Sequence, residues 1–292
     1  MIRSIFALFV LGYSLLAGCA ESRRPPLAEY SAHNRTERVI LPTDYVAYLK
    51  REKFTHGELD HLPGGAIILH HDDVESYLKA LGYSKWETLQ TGQTDPNVMY
   101  VVREPGKAEF IINRGLPGAG GITTQAAELA ALGVKQIIHI GTAGWVGADL
   151  PERAIVLSLG CQKDGAAVLL SEDPNEPISE PDAPLVVRIA TVAASQNVQM
   201  NAAVGYTSPI FYLQPAGLIK SILDGGRESY VEMEGASLFE IARRLHVAAA
   251  SIVIGGDRYT LDRDGTLKHD YFNSTREQEI AAMKIAIEAL TN

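Results

Sequence analysis

The sequence predicts an α/β domain in which helices cover both faces of a central sheet. Three observations carry that prediction. Apolar runs of strand length alternate with segments of helical period along most of the chain. The segment 123–140 reads as an Ala-rich helix, a terminating Gly133 and a strand in direct succession. The run 248–254 is almost wholly apolar and short, as a strand buried on both faces is.

Taken in order, a strand is expected at 66–69 and a helix at 73–81, followed by a hairpin pair at 99–103 and 108–112. The helix at 123–132 and the strand at 134–140 lead into Gly141-Thr142-Ala143-Gly144. Strands at 154–159 and 202–206, helices at 185–195 and 215–223, and an amphipathic helix at 278–290 complete the alternation. The stretch 171–184, dense in Pro, Asp and Glu, reads as a surface loop.

Ahead of this body, Arg3 precedes an apolar stretch that ends in Leu16-Ala17-Gly18-Cys19. It is too short to span a bilayer as a helix and reads as an export signal. The ending resembles a bacterial lipobox, which implies cleavage before Cys19 and lipid on its thiol, anchoring the protein without a transmembrane segment. Ala20, rather than Asp, resembles the pattern sorted to the outer membrane, so a lipid-anchored envelope protein facing the periplasm is expected. The organisation expected is a signal at 1–18, a polar tether from Cys19 to residue 41 and one domain over 42–292. Cys161 is then the only other cysteine, read as a buried thiol.

The full chain carries a formal charge of −9, and −10 once the signal with Arg3 is removed. With no basic cluster, a nucleic-acid partner is excluded from the reading. No Gly-Lys-Ser or Gly-Lys-Thr and no first-strand dinucleotide spacing occurs, so no nucleotide cofactor is indicated.

The chemistry-bearing residues are acids in apolar company. Val231-Glu232-Met233-Glu234 precedes a helical pattern, placing Glu234 near a helix N-terminus, where a carboxylate is favoured. Asp257 follows Gly255-Gly256 after the buried run, at the end of a strand where open α/β sheets collect ligands. The structural alternative is that Glu234 caps a helix and Asp257 opens a loop. Glycine-bearing turns are expected at 115–121, 141–144 and 255–256, giving a ligand close access to backbone N–H groups.

Together, Gly141-Thr142-Ala143-Gly144 after Ile137-Ile138-His139-Ile140, the Glu232-Met233-Glu234 run and Gly256-Asp257 resemble the nucleoside phosphorylase and nucleosidase superfamily over about residues 64–290. The resemblance implies a three-layer αβα fold around a mixed, partly barrel-like sheet. It also implies a homo-oligomer that cleaves the bond between ribose C1′ and a purine. By position, Glu234 would take the ribose hydroxyls with Met233 under the sugar and Glu232 beside it, and Thr142, Ala143 and Gly144 would line the substrate. Asp257 would share or donate a proton at the departing base. Phe211-Tyr212 resembles the base-stacking loop, with core packing as the alternative for either ring.

On the nucleophile side the chain departs from phosphorylases. Where they carry a Gly-Asp-Pro segment and an Arg after the first strand, this chain has Leu69-His70-His71-Asp72-Asp73, and where they carry an Arg before the Gly-Thr turn it has His139. A neutral imidazole does not replace a guanidinium as a phosphate ligand. Hydrolysis is therefore expected over phosphorolysis, with Asp73 as the base for water and His71 or His139 assisting. Asp73 as a helix cap is the competing role. Arg114 and Arg276 are the remaining candidates for a phosphate contact, and inorganic phosphate would be a co-substrate only for a phosphorylase. His269 and Tyr271 are candidates for a substrate lid.

His70, His71 and His139 with Asp72 or Asp73 offer the ligands for a metal. The family resemblance speaks against one, and His70 and His71, adjacent on a strand, point to opposite faces, so no metal is expected. The other readings are a phosphorylase with a divergent phosphate site and an envelope protein that binds nucleoside or nucleobase without turnover.

Overall fold

The computed structural model describes residues 41–91, 98–163, 165–272 and 276–291. The expected export signal, Cys19 and the expected tether as far as residue 40 lie outside the described residues.

Helix α1 (Pro42–Glu52) starts with Pro in its first turn, where the missing N–H costs nothing, and buries Val46 and Leu49. Strand β1 (Gly65–Leu69) is buried at every position and leads to α2 (Val74–Ala80), whose first turn is capped by Asp73. Three antiparallel strands follow: β2 (Glu87–Gln90), β3 (Val98–Val102) and β4 (Phe110–Arg114). Next come α3 (Gly118–Ala131), β5 (Gln136–Val146), β6 (Ile155–Gln162), α4 (Gly165–Leu170) and the two-residue β7 (Ile178–Ser179). Helix α5 (Ala183–Ser195), β8 (Met200–Thr207), α6 (Ala216–Leu223) and β9 (Glu228–Glu232) lead to α7 (Gly235–Arg244). The chain closes with β10 (Ala248–Leu261), β11 (Leu267–Tyr271) and α8 (Arg276–Thr291).

The eleven strands form one mixed sheet in the order β11-β10-β6-β8-β9-β5-β1-β4-β3-β2, with β7 on β6. An additional β10–β5 pairing closes β5, β10, β6, β8 and β9 into a five-stranded ring. The expected partly barrel-like sheet is thus present. Side-chain alternation along β5 feeds two cores. Ile137, Ala143 and Trp145 face α1, α3 and α7, whereas Ile138 and Ile140 face α2, α5 and α8. Helix α7 is buried from Gly235 through Ala242 without a break, as a helix enclosed by its surroundings must be.

Two of the expected glycine turns are strand interiors instead. Gly141–Gly144 lies within β5, and Gly255–Gly256 within β10, which continues to Leu261. Glycine serves there to admit close neighbours: a Cβ at Gly144 would stand 2.8 Å from Asp257 Oδ1 and 2.8 Å from a Tyr259 ring carbon. At the third turn, α3 begins at Gly118 (φ +78°), five residues earlier than helical period alone suggested. The expected surface loop at 171–184 carries β7 and two buried serines, Ser171 and Ser179, because these hydroxyls bond inward, Ser171 with Lys163 and Ser179 with Glu240. Among the described residues no helix is long and apolar enough to cross a membrane.

Candidate active site

Glu232 ends β9 and Glu234 precedes α7, so the two carboxylates meet the unpaired N–H groups of a helix start. Glu232 Oε2 accepts from the N–H groups of Glu234 (2.8 Å) and Gly235 (2.6 Å), and its Oε1 accepts from the Thr207 hydroxyl. Both its oxygens are engaged by the scaffold. Glu232 thereby fastens the first turn of α7. Glu234 Oε1 accepts from Gly118 N–H at 2.6 Å, tying α7 to the start of α3, and Oε2 faces Met233 N–H at 3.2 Å.

Both acids are buried, and burial raises both carboxyl groups above the ordinary range, with the charge of Glu232 adding to the effect on Glu234. Glu232 has the more numerous donors, which favour its charged form against the cost of burial. Among the described residues no Lys or Arg pairs with either.

Asp257 is set by a β-bulge. Gly255 pairs with Ala143 and Asp257 with Gly144, so Gly256 is the extra residue on β10 and the strand re-aims at that point. Gly144 also pairs with Val231 on its other side, which puts Asp257 and the Glu232–Glu234 segment about two strand spacings, ~10 Å, apart. Asp257 Oδ2 is bonded to His269 Nε2 at 2.5 Å. His269 lies on β11, stacked on Tyr259 at 4.5 Å and edge-on to Tyr271 at 4.4 Å. The Tyr259 hydroxyl is pushed up to about 12 by burial and then by the charge of Asp257. His269 was a lid candidate in the sequence, and its contact with the acid was not legible there because it depends on β10–β11 register.

A cleft of ≈490 Å³ opens on the α2 and α8 side of the sheet, lined among others by His71, Asp73, Thr142, Gly256, Phe272 and Arg276. Asp73 Oδ1 accepts from Ser76 N–H at 3.1 Å, the capping role weighed against that of a base, yet the residue still lines the cleft. His71 Nδ1 accepts from Asp73 N–H at 3.0 Å, which fixes the loop between them. Arg276 donates to Ser76 O at 3.0 Å and lies over the Tyr77 ring, and Arg114 is ion-paired with Asp72.

His139 is not in this cleft. It is buried on the opposite face of β5, its ring edge-on to His70 at 4.9 Å, with Nδ1 bonded to Ser251 Oγ at 2.8 Å. Burial lowers His70 to about 4 and His139 well below its usual value, so both are neutral. Met233 lies against Gly118, whose added Cβ would stand 3.7 Å from Met233 Cε and from Pro209 O. Phe211 and Tyr212 lie in a short 3₁₀ turn (Phe211–Leu213), meet edge-on at 5.0 Å and are 40% and 90% exposed, which corrects the alternative of core packing.

The sequence model of the Phosphorylase superfamily matches residues 77–292. The chain belongs to the phosphorylase superfamily. An enzyme of the nucleoside phosphorylase and nucleosidase class was expected, and membership agrees with it. Among relatives, a purine nucleoside phosphorylase of the DeoD type from Buchnera aphidicola subsp. Acyrthosiphon pisum is 25% identical over 179 residues, covering 60% of this chain and 72% of its own. A second, from Chromobacterium violaceum, is 26% identical over 144 residues, 49% of this chain and 59% of its own. The fold matches that of a Toxoplasma gondii purine nucleoside phosphorylase crystallised with immucillin-H, at a TM-score of 0.66 and 15% identity over 80% of this chain and 92% of that one.

Proposed function

We propose that this superfamily member cleaves the N-glycosidic bond of a purine ribonucleoside with water as the acceptor. Purine as the base is supported by the names of the similar proteins. Water is supported by one observation above all: the strand position two residues before Gly141-Thr142 is a buried neutral imidazole, His139, with a second neutral imidazole against it. Neither can bind phosphate as a guanidinium does. The two candidate arginines are engaged by other groups, Arg114 with Asp72 and Arg276 with Ser76.

In this reading the C1′–N9 electron pair leaves with the purine, whose N7 takes a proton from Asp257 in its bond to His269. Water bonds to C1′ and yields a proton to Asp73. Glu234 takes the ribose hydroxyls. Phosphorolysis is the second reading, favoured by the fact that each of these similar proteins is called a phosphorylase. Anchoring through Cys19 in the bacterial envelope and assembly into a homo-oligomer belong to the same proposal.

The test is base release from a panel of purine nucleosides by the protein purified in detergent, with and without inorganic phosphate, beside Asp257→Asn. Free ribose sugar released without phosphate, and lost in the variant, is the expected result. Strict dependence on phosphate with sugar phosphate as product would establish the second reading, and nucleoside binding without turnover would remove both.

A further inference from the structure

We propose that His70, His139 and Glu234 form a binding site for one divalent transition-metal cation of the zinc class, contributing one imidazole nitrogen each from the histidines and one carboxylate oxygen. This departs from the expectation of no metal, which rested on the family resemblance and on His70 and His71 pointing to opposite faces. The register brings a different pair together. Ile68 of β1 pairs with His139 of β5, so His70, two residues on, shares the face of His139 across neighbouring parallel strands. Glu234 then arrives from the start of α7, its Oε1 4.0 Å from His70 Nδ1. One ligand atom from each of the three lies within 4.8 Å of the others. Donors around a tetrahedral zinc stand about 3.3 Å apart, given bonds near 2.0–2.1 Å, so modest side-chain rotation closes the set.

Four further observations point to a cation here. His139 Nε2 is buried without a hydrogen-bond partner, the state of a group that awaits one. Ser251, paired with His139 across β10 and β5, holds the other ring nitrogen of His139, as outer partners of metal-bound histidines do. The backbone is cleared for both rings: a Cβ at Gly115 would lie 2.2 Å from His70 Cδ2, and one at Gly141 would lie 2.9 Å from His139 Nε2. The buried Glu232–Glu234 pair has no Lys or Arg beside it among the described residues, and a divalent cation would supply the missing positive charge.

Two imidazoles and a carboxylate leave at least one coordination position open. His70 is the member with most access to solvent, its side chain 16% exposed against 7% for Glu234, so the open position lies on its side. An oxygen ligand, water or a substrate hydroxyl, would complete the site there. The ligand set is neutral nitrogen plus carboxylate, which favours zinc, cobalt or nickel over magnesium or calcium.

The test is metal binding, read independently of turnover. The protein purified in detergent is stripped with a chelator and titrated with Zn²⁺ by calorimetry and with Co²⁺ by visible absorption. One equivalent per chain, with cobalt d–d bands of low coordination number, is expected. His139→Ala and His70→Ala should each weaken binding by about 100-fold or more, and Ser251→Ala by roughly 10-fold, the range for loss of an outer partner. His71→Ala, on the opposite face, should leave binding unchanged. Thermal melts identify any variant that has failed to fold, and Ser251→Ala then carries the comparison. No saturable binding, or binding that survives in a folded His139→Ala protein, overturns the site. Base release is scored separately, so a protein that hydrolyses nucleoside yet binds no metal refutes this site and leaves the proposed reaction standing.

Discussion

At the scale of single residues, Asp257 and His269 behave as a unit. The carboxylate is held on β10 by the bulge at Gly256, and the imidazole is held by its stack on Tyr259, so neither can turn away without breaking a packed contact. If Asp257 is the acid at the base, Asp257→Asn should lower kcat by about 10²–10⁴-fold, the usual range for general acid catalysis. His269→Phe keeps a ring on Tyr259 and removes only the bond to the acid. It should lower kcat by ~10-fold or more with KM little changed and alter the pH–rate profile, all read from steady-state kinetics. Asp73 can be divided in the same way. Asp73→Asn keeps an N-cap and should cost little stability, whereas Asp73→Ala should lose about 1 kcal/mol, measured by denaturant unfolding. Loss of turnover in the Asn variant would assign Asp73 to the water; normal turnover would leave it a cap.

At the scale of elements, the glycines of β5 decide what can approach the strand. Gly144→Ala would push a methyl group to 2.8 Å from Asp257 Oδ1 and from the Tyr259 ring. Overpacking of this kind should cost about 1–3 kcal/mol in unfolding experiments and displace the acid, so activity should fall more steeply than stability. The elements themselves were largely legible. Ile137, Ile138 and Ile140 announce a buried strand, and the 278–290 pattern announces α8, because these periods follow from local backbone geometry. Strand β11 was not legible. Its residues Leu267-Lys268-His269-Asp270-Tyr271 are mostly exposed and polar, and they are a strand because β10 offers them an edge, not because of any apolar period. The turn at 141–144 was misplaced for a related reason: glycine marks close approach as readily as a bend, and only the neighbour across the sheet distinguishes the two.

At the scale of the whole molecule, the buried ionisable groups give stability a pH dependence with two limbs. In the metal-free protein Glu234, pushed up to about 8 by burial and by Glu232, keeps a proton that the unfolded chain has released. Its contribution is complete below the ordinary carboxylate value of 4.5 and is lost as pH rises to about 8. His70 and His139 act in the opposite sense. Their neutral folded forms contribute stability above 6.5, the unfolded value, and that contribution is lost as pH falls toward the depressed value of about 4 for His70. Melting temperature after chelation should therefore fall between about pH 6.5 and 8, where Glu234 alone of the three titrates. Glu234→Gln should flatten that limb, and a limb that persists unchanged in the variant would locate the titration elsewhere.

What the sequence determined by itself was the alternation of strands and helices, the placing of Glu232 and Glu234 at a helix start, and the absence of an Arg at position 139. These are properties of neighbours along the chain, where stereochemistry and residue identity suffice. What the tertiary structure decided was company. His70 faces His139 and Glu234 while His71 faces the cleft, Asp257 finds His269, and Glu232 spends both oxygens on backbone and Thr207. Each of those contacts joins residues from different strands or from a strand and a helix. They are fixed by the order and register of an eleven-stranded sheet that closes on itself through β10 and β5. Closure is a long-range event driven by burial of both sheet faces, and no local period in the chain encodes which strand ends will meet.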